Sequence, residues 1–370
     1  MAASVKDVAA HAGLSVGTVS NVLNRPDKVS ESTRAKVLDA IEELGFVRNE
    51  AARQLRAGLS RTVGLLVLNP ANPFFADVAT GAEEAAEQHG ISVLTGNSGE
   101  DPAREDHYLE VFEQQRVRGV LVSSVGDVTG RLTRMRGLGI ASVLVDRDLS
   151  GGRFSSVSVD DELGGRLAID HLADLGHTHI AFIGGPSSLP QVADRLAGAC
   201  HAAGERKVRL ENVEIGSLQL RRGREAGLAL LERPASERPT ALFAANDLVA
   251  LGLLQALLGA GVRVPEDVAL VGYDDIDFAA GAAVPLTSIA QPSHEIGATA
   301  MELLLAESED AERERQHVVL QPSLVVRRST DAGAPHSWRR AGPGPEVNTM
   351  RPCPTDAPPG ARRDDALTAS

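Results

Sequence analysis

Two cysteines in 370 residues, Cys200 and Cys353, stand far apart in sequence and match no zinc or redox spacing. That excludes a thiolate metal site and predicts a reduced compartment and no metal. One tryptophan, two tyrosines, eight phenylalanines and four methionines are too few for an aromatic cofactor box, so no cofactor is expected. No run approaches the roughly 18 apolar residues of a membrane span. The first residues, MAASVKDVAAHAG, carry an acid where a signal peptide would be apolar, and the expected location is the cytoplasm. No glycine-rich phosphate loop follows TVGLLVLN and no base–nucleophile pair is evident, which argues against an enzyme such as a nucleotide-dependent dehydrogenase.

What is present is length, apolar content and an uneven charge. At 43% apolar residues the chain can bury at least two cores. The formal net charge is −13, yet residues 1–61 hold nine basic and seven acidic side chains, or +2, leaving −15 for the remainder. This asymmetry fits a small module able to approach a polyanion, joined to a larger body that is not. A solvated helical face would look the same.

The first 45 residues read as three short helices. Ser4 and Asp7 have capping-box spacing before Val5, Val8, Ala9 and Ala12. Gly13 suits a tight turn, and Ser15 can cap a second helix from about Val16 to Leu23 in which Val16, Val19, Val22 and Leu23 make one apolar stripe. Ser30 can cap a third helix, with Val37, Leu38, Ile41 and Leu44 at helical spacing before Gly45. Two helices joined by a glycine-containing turn fit a helix-turn-helix that enters a DNA major groove; a three-helix cap without ligand is the bland alternative.

From Arg61 short β-branched runs alternate with helical segments. TVGLLVLN, ISVLTGN, GVLVSS and ASVLVDRD form one series of buried strands; IAFIGGP, NVEIGS, TALFAAN and VALVGYDD form a second. Such strands make parallel sheets covered by helices, so an α/β body of two lobes is expected. Chain crossings are expected near Asp146–Asp160, Asp274–Gln291 and Gln321. His177 and His179 read as part of a turn, and Asp160 and Asp161 as caps of a helix beginning near Leu163. After Thr330 a Pro-, Gly- and Ala-rich tail lacks the aliphatic surface needed to offset its ordering entropy.

VKDVAAHAGLSVGTVSNVLNRPDKVSESTRAKVLDAIEELGFVRNEAARQLRAG resembles the DNA-binding module of the lac repressor/gal repressor family. The similarity runs on through NPFF, DR, GH, NDLVALG and VGYDD, covering about residues 4–328. It implies an all-α helix-turn-helix module at 1–47, a hinge helix or linker at 48–60, a two-lobed body resembling periplasmic binding proteins at 61–330, and a disordered tail at 331–370. Val16, Gly17 and Asn21 are then placed to meet base edges, and Ser15, Thr18, Ser20 and Asn24 to contact phosphates. Asn21 and Gly17 depart from the family, where Arg and a longer side chain are common. Asn pairs with adenine, so an A·T pair is expected opposite Asn21. Leu55 matches the leucine that the family wedges into the minor groove at the operator centre.

For the body, the resemblance implies a small-molecule effector between the lobes: a sugar or its phosphate first, a purine second. Arg195 matches the family's effector-binding arginine, whose fork of donors suits hydroxyls or an anion. Asp146, Asn246 and Asp274 match other effector positions, with loop capping as the plain alternative, and Phe74 matches a pocket aromatic. Leu218 and Ser293 stand where the family usually has aromatics, which reduces the flat platform for a sugar ring. No leucine heptads follow the last strand, so the expectation is a homodimeric repressor on double-stranded operator DNA, with effector binding changing the lobe angle and the spacing of the hinge segments. A periplasmic-type solute-binding protein shares the body, but residues 4–58 speak against it.

Overall fold

The computed structural model describes residues 3–46, 60–147 and 152–331. The expected hinge helix with Leu55, and the expected tail after Asp331, lie outside the described residues.

The N-terminal module folds as three helices, α1 (Val5–His11), α2 (Val16–Asn24) and α3 (Glu31–Leu44). The capping box at α1 is reciprocal: Asp7 N donates to Ser4 Oγ at 3.3 Å while Ser4 N donates to Asp7 Oδ2 at 2.8 Å. Gly13, at φ 65°, makes the turn, and Ser15 Oγ caps α2 by accepting from Thr18 N at 3.0 Å. Ser30 holds the N-cap position of α3 but its side chain makes no capping bond; its hydroxyl pairs with Thr33 Oγ1 at 2.9 Å instead. Gly45 ends α3 at φ 56°, which returns Phe46 to the core.

That core is Val8, Ala9, Val19, Val22, Val37, Ala40 and Phe46, each aliphatic residue contributing about 1–3 kcal/mol by leaving water. Two expected members are absent from it. Val16 is 46% exposed and Leu38 48% exposed, because with 3.6 residues per turn the buried stripe passes through Val19 and Val22 in α2 and through Val37 and Ala40 in α3. On the surface, His11 Nε2 and Glu43 Oε2, 2.6 Å apart, tie α1 to α3.

The body divides into two units, each built on one six-stranded sheet. The first sheet has the order β11-β5-β4-β3-β1-β2, with β1 Thr62–Val67, β2 Ser92–Asn97, β3 Gly119–Val122, β4 Ala141–Val145, β5 Ser155–Val159 and β11 His317–Leu320. β1 to β5 pair in parallel, connected through α4 (Pro73–Glu87), α5 (Pro102–Gln114) and α6 (Thr129–Gly137). One cluster of its core joins Leu66, Val120, Val122 and Leu144 to Leu109, Phe112, Leu132 and Met135 on helices.

The second sheet has the order β12-β10-β9-β8-β6-β7, with β6 His179–Gly184, β7 Arg209–Glu214, β8 Ala241–Ala244, β9 Ala269–Asp274, β10 Thr287–Ala290 and β12 Ser323–Val325. Its helices are α7 (Asp161–Asp174), α8 (Pro190–Arg206), α9 (Leu220–Leu231), α10 (Asp247–Gly259) and the short α11 (Asp277–Ala280). α12 (Ser293–Glu309) groups with the first unit, and residues 72–74 with the second. The chain changes unit at Ser158/Val159, Pro292/Ser293 and Val319/Leu320. The first lies inside the expected crossing; the others fall within two residues of theirs.

Four strands escaped the apolar-run reading: β5, β10, β11 and β12. β5 is SSVSV, fully buried despite three serines; two of its hydroxyls find partners, Ser155 Oγ accepting from Gln316 N at 2.9 Å and Ser156 Oγ pairing with His317 Nδ1 at 2.9 Å, whereas Ser158 Oγ has none among the described residues. The others are only three or four residues long. β7 begins three residues before NVEIGS, a displacement natural to a half-exposed edge strand whose side chains alternate without a strong apolar signal.

In the second unit, α7 and α8 meet backbone to backbone. A Cβ on Gly165 would lie 2.0 Å from the Arg195 carbonyl oxygen, and one on Gly198 would lie 1.8 Å from the Glu162 carbonyl oxygen. Gly165→Ala is therefore expected to destabilise the body by about 1–3 kcal/mol through overpacking. Urea denaturation of the variant beside wild type measures it, and an unchanged midpoint contradicts the close approach.

Candidate DNA-reading helix and effector site

α2 separates its residues by face. Val19 and Val22 are buried, whereas Val16, Gly17 and Asn21 are exposed on the opposite side. Gly17 is not demanded by the fold: its φ is ordinary, and an added Cβ would meet only Ser15 Oγ at 3.7 Å, a normal contact. Ser15 Oγ and Thr18 Oγ1 bond each other at 2.9 Å beside the helix N-terminus, and Ser20 is half-buried. Asn24 ends the helix; its side chain lies outside the described residues.

In the second unit the C-terminal ends of β8 and β9 and the start of β6's following helix hold a buried polar cluster. Arg195, on α8, donates from Nε to Asp161 Oδ1 at 2.8 Å and from Nη1 to the Ala245 carbonyl at 2.7 Å. Its guanidinium carbon lies 3.7 Å from the centroid of the Tyr273 ring, a cation–π contact strengthened by burial. Tyr273 Oη donates to the same Asp161 Oδ1 at 2.7 Å. Asp161 was expected to cap α7; Asp160 does so, accepting from Leu163 N at 2.9 Å, and Asp161 is instead the acceptor that orients Arg195. The α7–α8 glycines make this possible, since without them the helices could not bring Asp161 and Arg195 within hydrogen-bond reach. Gly164 likewise leaves room for the Tyr273 hydroxyl, 2.3 Å from where its Cβ would stand.

Asp274, at the end of β9, has φ 104°, a backbone conformation that L-residues adopt at a cost. Its Oδ2 accepts from Asn72 Nδ2 at 3.0 Å and its Oδ1 from Gln291 Nε2 at 2.8 Å; Arg195 Nη1 stands 3.9 Å from Oδ1. Burial pushes its carboxyl pKa up to about 6, against the opposing pull of Arg195, Asn72 and Gln291. Asp247, next to Asn246, is fully buried, and burial and the charge of Asp274 push its carboxyl well above the usual range. Burial also raises the Tyr273 phenol well above its ordinary value.

The expected effector residues are thus only partly brought together. Arg195 and Asp274 share this cluster, and Phe74, 3% exposed, follows the Asn72 that bonds Asp274. Asn246 is the N-cap of α10, its Oδ1 accepting from Val249 N at 2.9 Å while Nδ2 donates to the Leu218 carbonyl at 3.3 Å, which matches the plain capping alternative. Asp146 belongs to the first unit, buried after β4 at φ 57°. Ser293 Oγ lies 3.4 Å from Asp77 Oδ2 in that unit. Sequence reading missed Asp161, Tyr273, Asn72 and Gln291; Asn72 and Tyr273 are inside the quoted NPFF and VGYDD runs, but nothing in spacing shows which of their neighbours turns inward. His177 Nδ1 bonds Thr240 Oγ1 at 3.0 Å, as a turn residue would. Among the described residues no cluster of His, Cys, Asp and Glu could hold a metal, and no helix is long and apolar enough to cross a membrane.

Comparison with known proteins agrees with this geometry. Residues 4–49 match the profile of bacterial regulatory proteins of the lacI family, and residues 169–330 that of the periplasmic binding protein-like domain. The HTH-type transcriptional repressor PurR of Aliivibrio fischeri (strain MJ11) is 35% identical over 331 residues, covering 88% of this chain and 98% of the relative. The chain belongs to the lacI family. Its fold is shared with the lac repressor dimer bound to operator and the anti-inducer ONPF, at TM-score 0.75 and 29% identity over 89% of this chain and 99% of that one. A lacI-family regulator from Enterococcus faecium with bound ribose gives TM-score 0.66 and 29% identity over 73% of this chain and 98% of that one. This lacI-family chain is therefore a DNA-binding transcriptional regulator with an effector-binding body, neither a solute-binding protein nor an enzyme.

The raised carboxyl of Asp274 has a defined sign. Its folded pKa, about 6, exceeds the ordinary aspartate value of 3.8, so the stability it contributes is fully present below 3.8 and is lost as pH rises through about 6. With ligand absent, wild type should gain of order 1–3 kcal/mol from this group between pH 7.5 and pH 4. Asp274→Asn should lack that component in a pH series of urea midpoints; parallel profiles for the two proteins contradict it.

Proposed function

We propose that this chain is a homodimeric repressor that reads a pseudo-palindromic operator through α2 and is controlled by a sugar held at Arg195 and Asp274. The observation that carries the DNA half is the division of α2: Val19 and Val22 anchor it to the module's core while Val16, Gly17 and Asn21 face outward. Asn21 pairs with adenine, Val16 meets a thymine methyl, and Gly17 lets the helix lie close to the groove wall. Ser15, Thr18, Ser20 and Asn24 position the module on phosphates, aided by the N-terminal end of the helix. Two modules are needed for two half-sites, in keeping with the operator-bound lac repressor dimer.

Residues 48–60 act as the hinge, with Leu55 as the minor-groove wedge. A helix of this length is marginal alone and forms when paired with its twin on DNA. Occupancy of the effector site biases that equilibrium and so sets operator affinity. Support for the effector half comes from the buried Arg195–Asp274 cluster and from ribose bound to the Enterococcus faecium regulator. Phe74 lines the ligand's apolar side, and Asn246, beyond its capping bond, supplies a further polar contact. Operator binding places the protein in the cytoplasm.

Leu55→Ala should lower operator affinity at least tenfold in a gel-shift titration while leaving effector binding unchanged; equal affinity refutes the wedge. In an operator selection with randomised half-sites, the position read by Asn21 should return A·T. Indifference there, with Asn21→Ala equally indifferent, removes Asn21 from base reading.

A further inference from the structure

The chain enters the body at an edge whose charge is unlike the rest. The acidic surplus of −15 lies after residue 61, and an acidic body tethered close to a polyanion is repelled by it. Yet the first residues of the body stand among arginines. Ser60, Arg116, Arg118 and Gly139 line one recess in the first unit, where β1, β3 and β4 begin. The strand starts are tied together there, Arg118 N donating to the Thr62 carbonyl at 2.7 Å.

The carboxylates at this recess are already held. Glu113, which also lines it, takes Arg134 at 2.8 Å and Arg131 at 3.3 Å, and Glu309 takes Arg118 at 3.0 Å. Arg61 and Arg116 are exposed and have no carboxylate partner among the described residues. Arg116 follows α5 at φ 50°, the left-handed position that glycine usually takes at a helix end. The backbone cost of an arginine there is offset by no ion pair or side-chain hydrogen bond among the described residues, which leaves its charge for a partner outside the protein.

Chain length supplies that partner. Ser60 follows Leu55 by five residues, at most about 18 Å of extended chain, to which an arginine adds its own length. With Leu55 in the minor groove at the operator centre, this radius takes in phosphates on both strands beside the central step, since the duplex carries one charge per roughly 1.7 Å of axis. An acidic protein partner has no such tether to this edge.

Resting on the hinge reading above, we propose that the body itself touches operator DNA: Arg61 and Arg116 contact backbone phosphates flanking the operator centre. The edge where β1, β3 and β4 begin is then a second DNA surface, adding affinity and no base preference.

The test uses the full chain and the operator recovered by selection, titrated by fluorescence anisotropy at salt from about 50 to 200 mM. Arg61→Gln and Arg116→Gln should each weaken binding by about fivefold or more at the lower salt and reduce the slope of log K against log salt by about 2 per dimer, one per protomer. Arg263→Gln, which removes the same charge from an exposed pair in the second unit, should change neither. Neutral methylphosphonates beside the central step should weaken wild type and leave the double variant Arg61→Gln/Arg116→Gln unmoved. Wild-type slopes in both single variants, with Leu55→Ala still weak, overturn this inference and leave the hinge reading standing. Arg263→Gln matching the other two shows net charge acting without contact and overturns it equally. If Leu55→Ala and both arginine variants all bind as wild type does, the hinge reading and this inference fall together.

Discussion

The second unit depends on the contact between two helix backbones. Gly165 and Gly198 let α7 and α8 approach so closely that each Cβ position is occupied by the other helix's carbonyl oxygen. Asp161, at the start of α7, can therefore reach Arg195 on α8, and that bond sets where the guanidinium lies over Tyr273. Removal of either partner from a buried pair leaves an uncompensated charge, which costs more than the pair gains. The glycines are thus the geometric condition for the arginine's placement, and the arginine is the condition for burying Asp274 nearby.

Asp274 shows the opposite economy. A carboxyl at a positive φ, buried and lacking a guanidinium of its own, lowers the stability of the ligand-free fold near neutral pH. A core chosen for stability alone would hold an apolar side chain there. Groups kept at such a cost cluster where a ligand or substrate completes their interactions, and the buried Oε1 of Gln291 beside it has the same incompleteness. The candidate DNA-reading helix α2 is built differently: Val16 and Asn21 are left in water, and Gly17 leaves the backbone bare.

Much of this architecture was legible in the chain itself. The reciprocal cap at Ser4 and Asp7, the turn at Gly13 and the stop at Gly45 are local chemistry, decided within four or five residues. The long apolar strands β1, β3, β4, β6, β8 and β9 declare themselves because both faces of a parallel strand are buried. The family resemblance added the helix-turn-helix and the positions of Arg195 and Asp274, which local patterns do not reveal.

Sequence by itself determined the elements whose stability is local, and the two-part division into a near-neutral module and an acidic body. Only the tertiary structure decided that Asp161 orients Arg195 instead of capping, that Asn246 spends its oxygen on a helix end, that Val16 and Leu38 face water, and that SSVSV is an interior strand. The first and last of these turn on partners far along the chain: 34 residues separate Arg195 from Asp161, and 161 separate Ser156 from His317. A polar side chain offers the same donors and acceptors wherever it sits, and the fold alone chooses which of them meet.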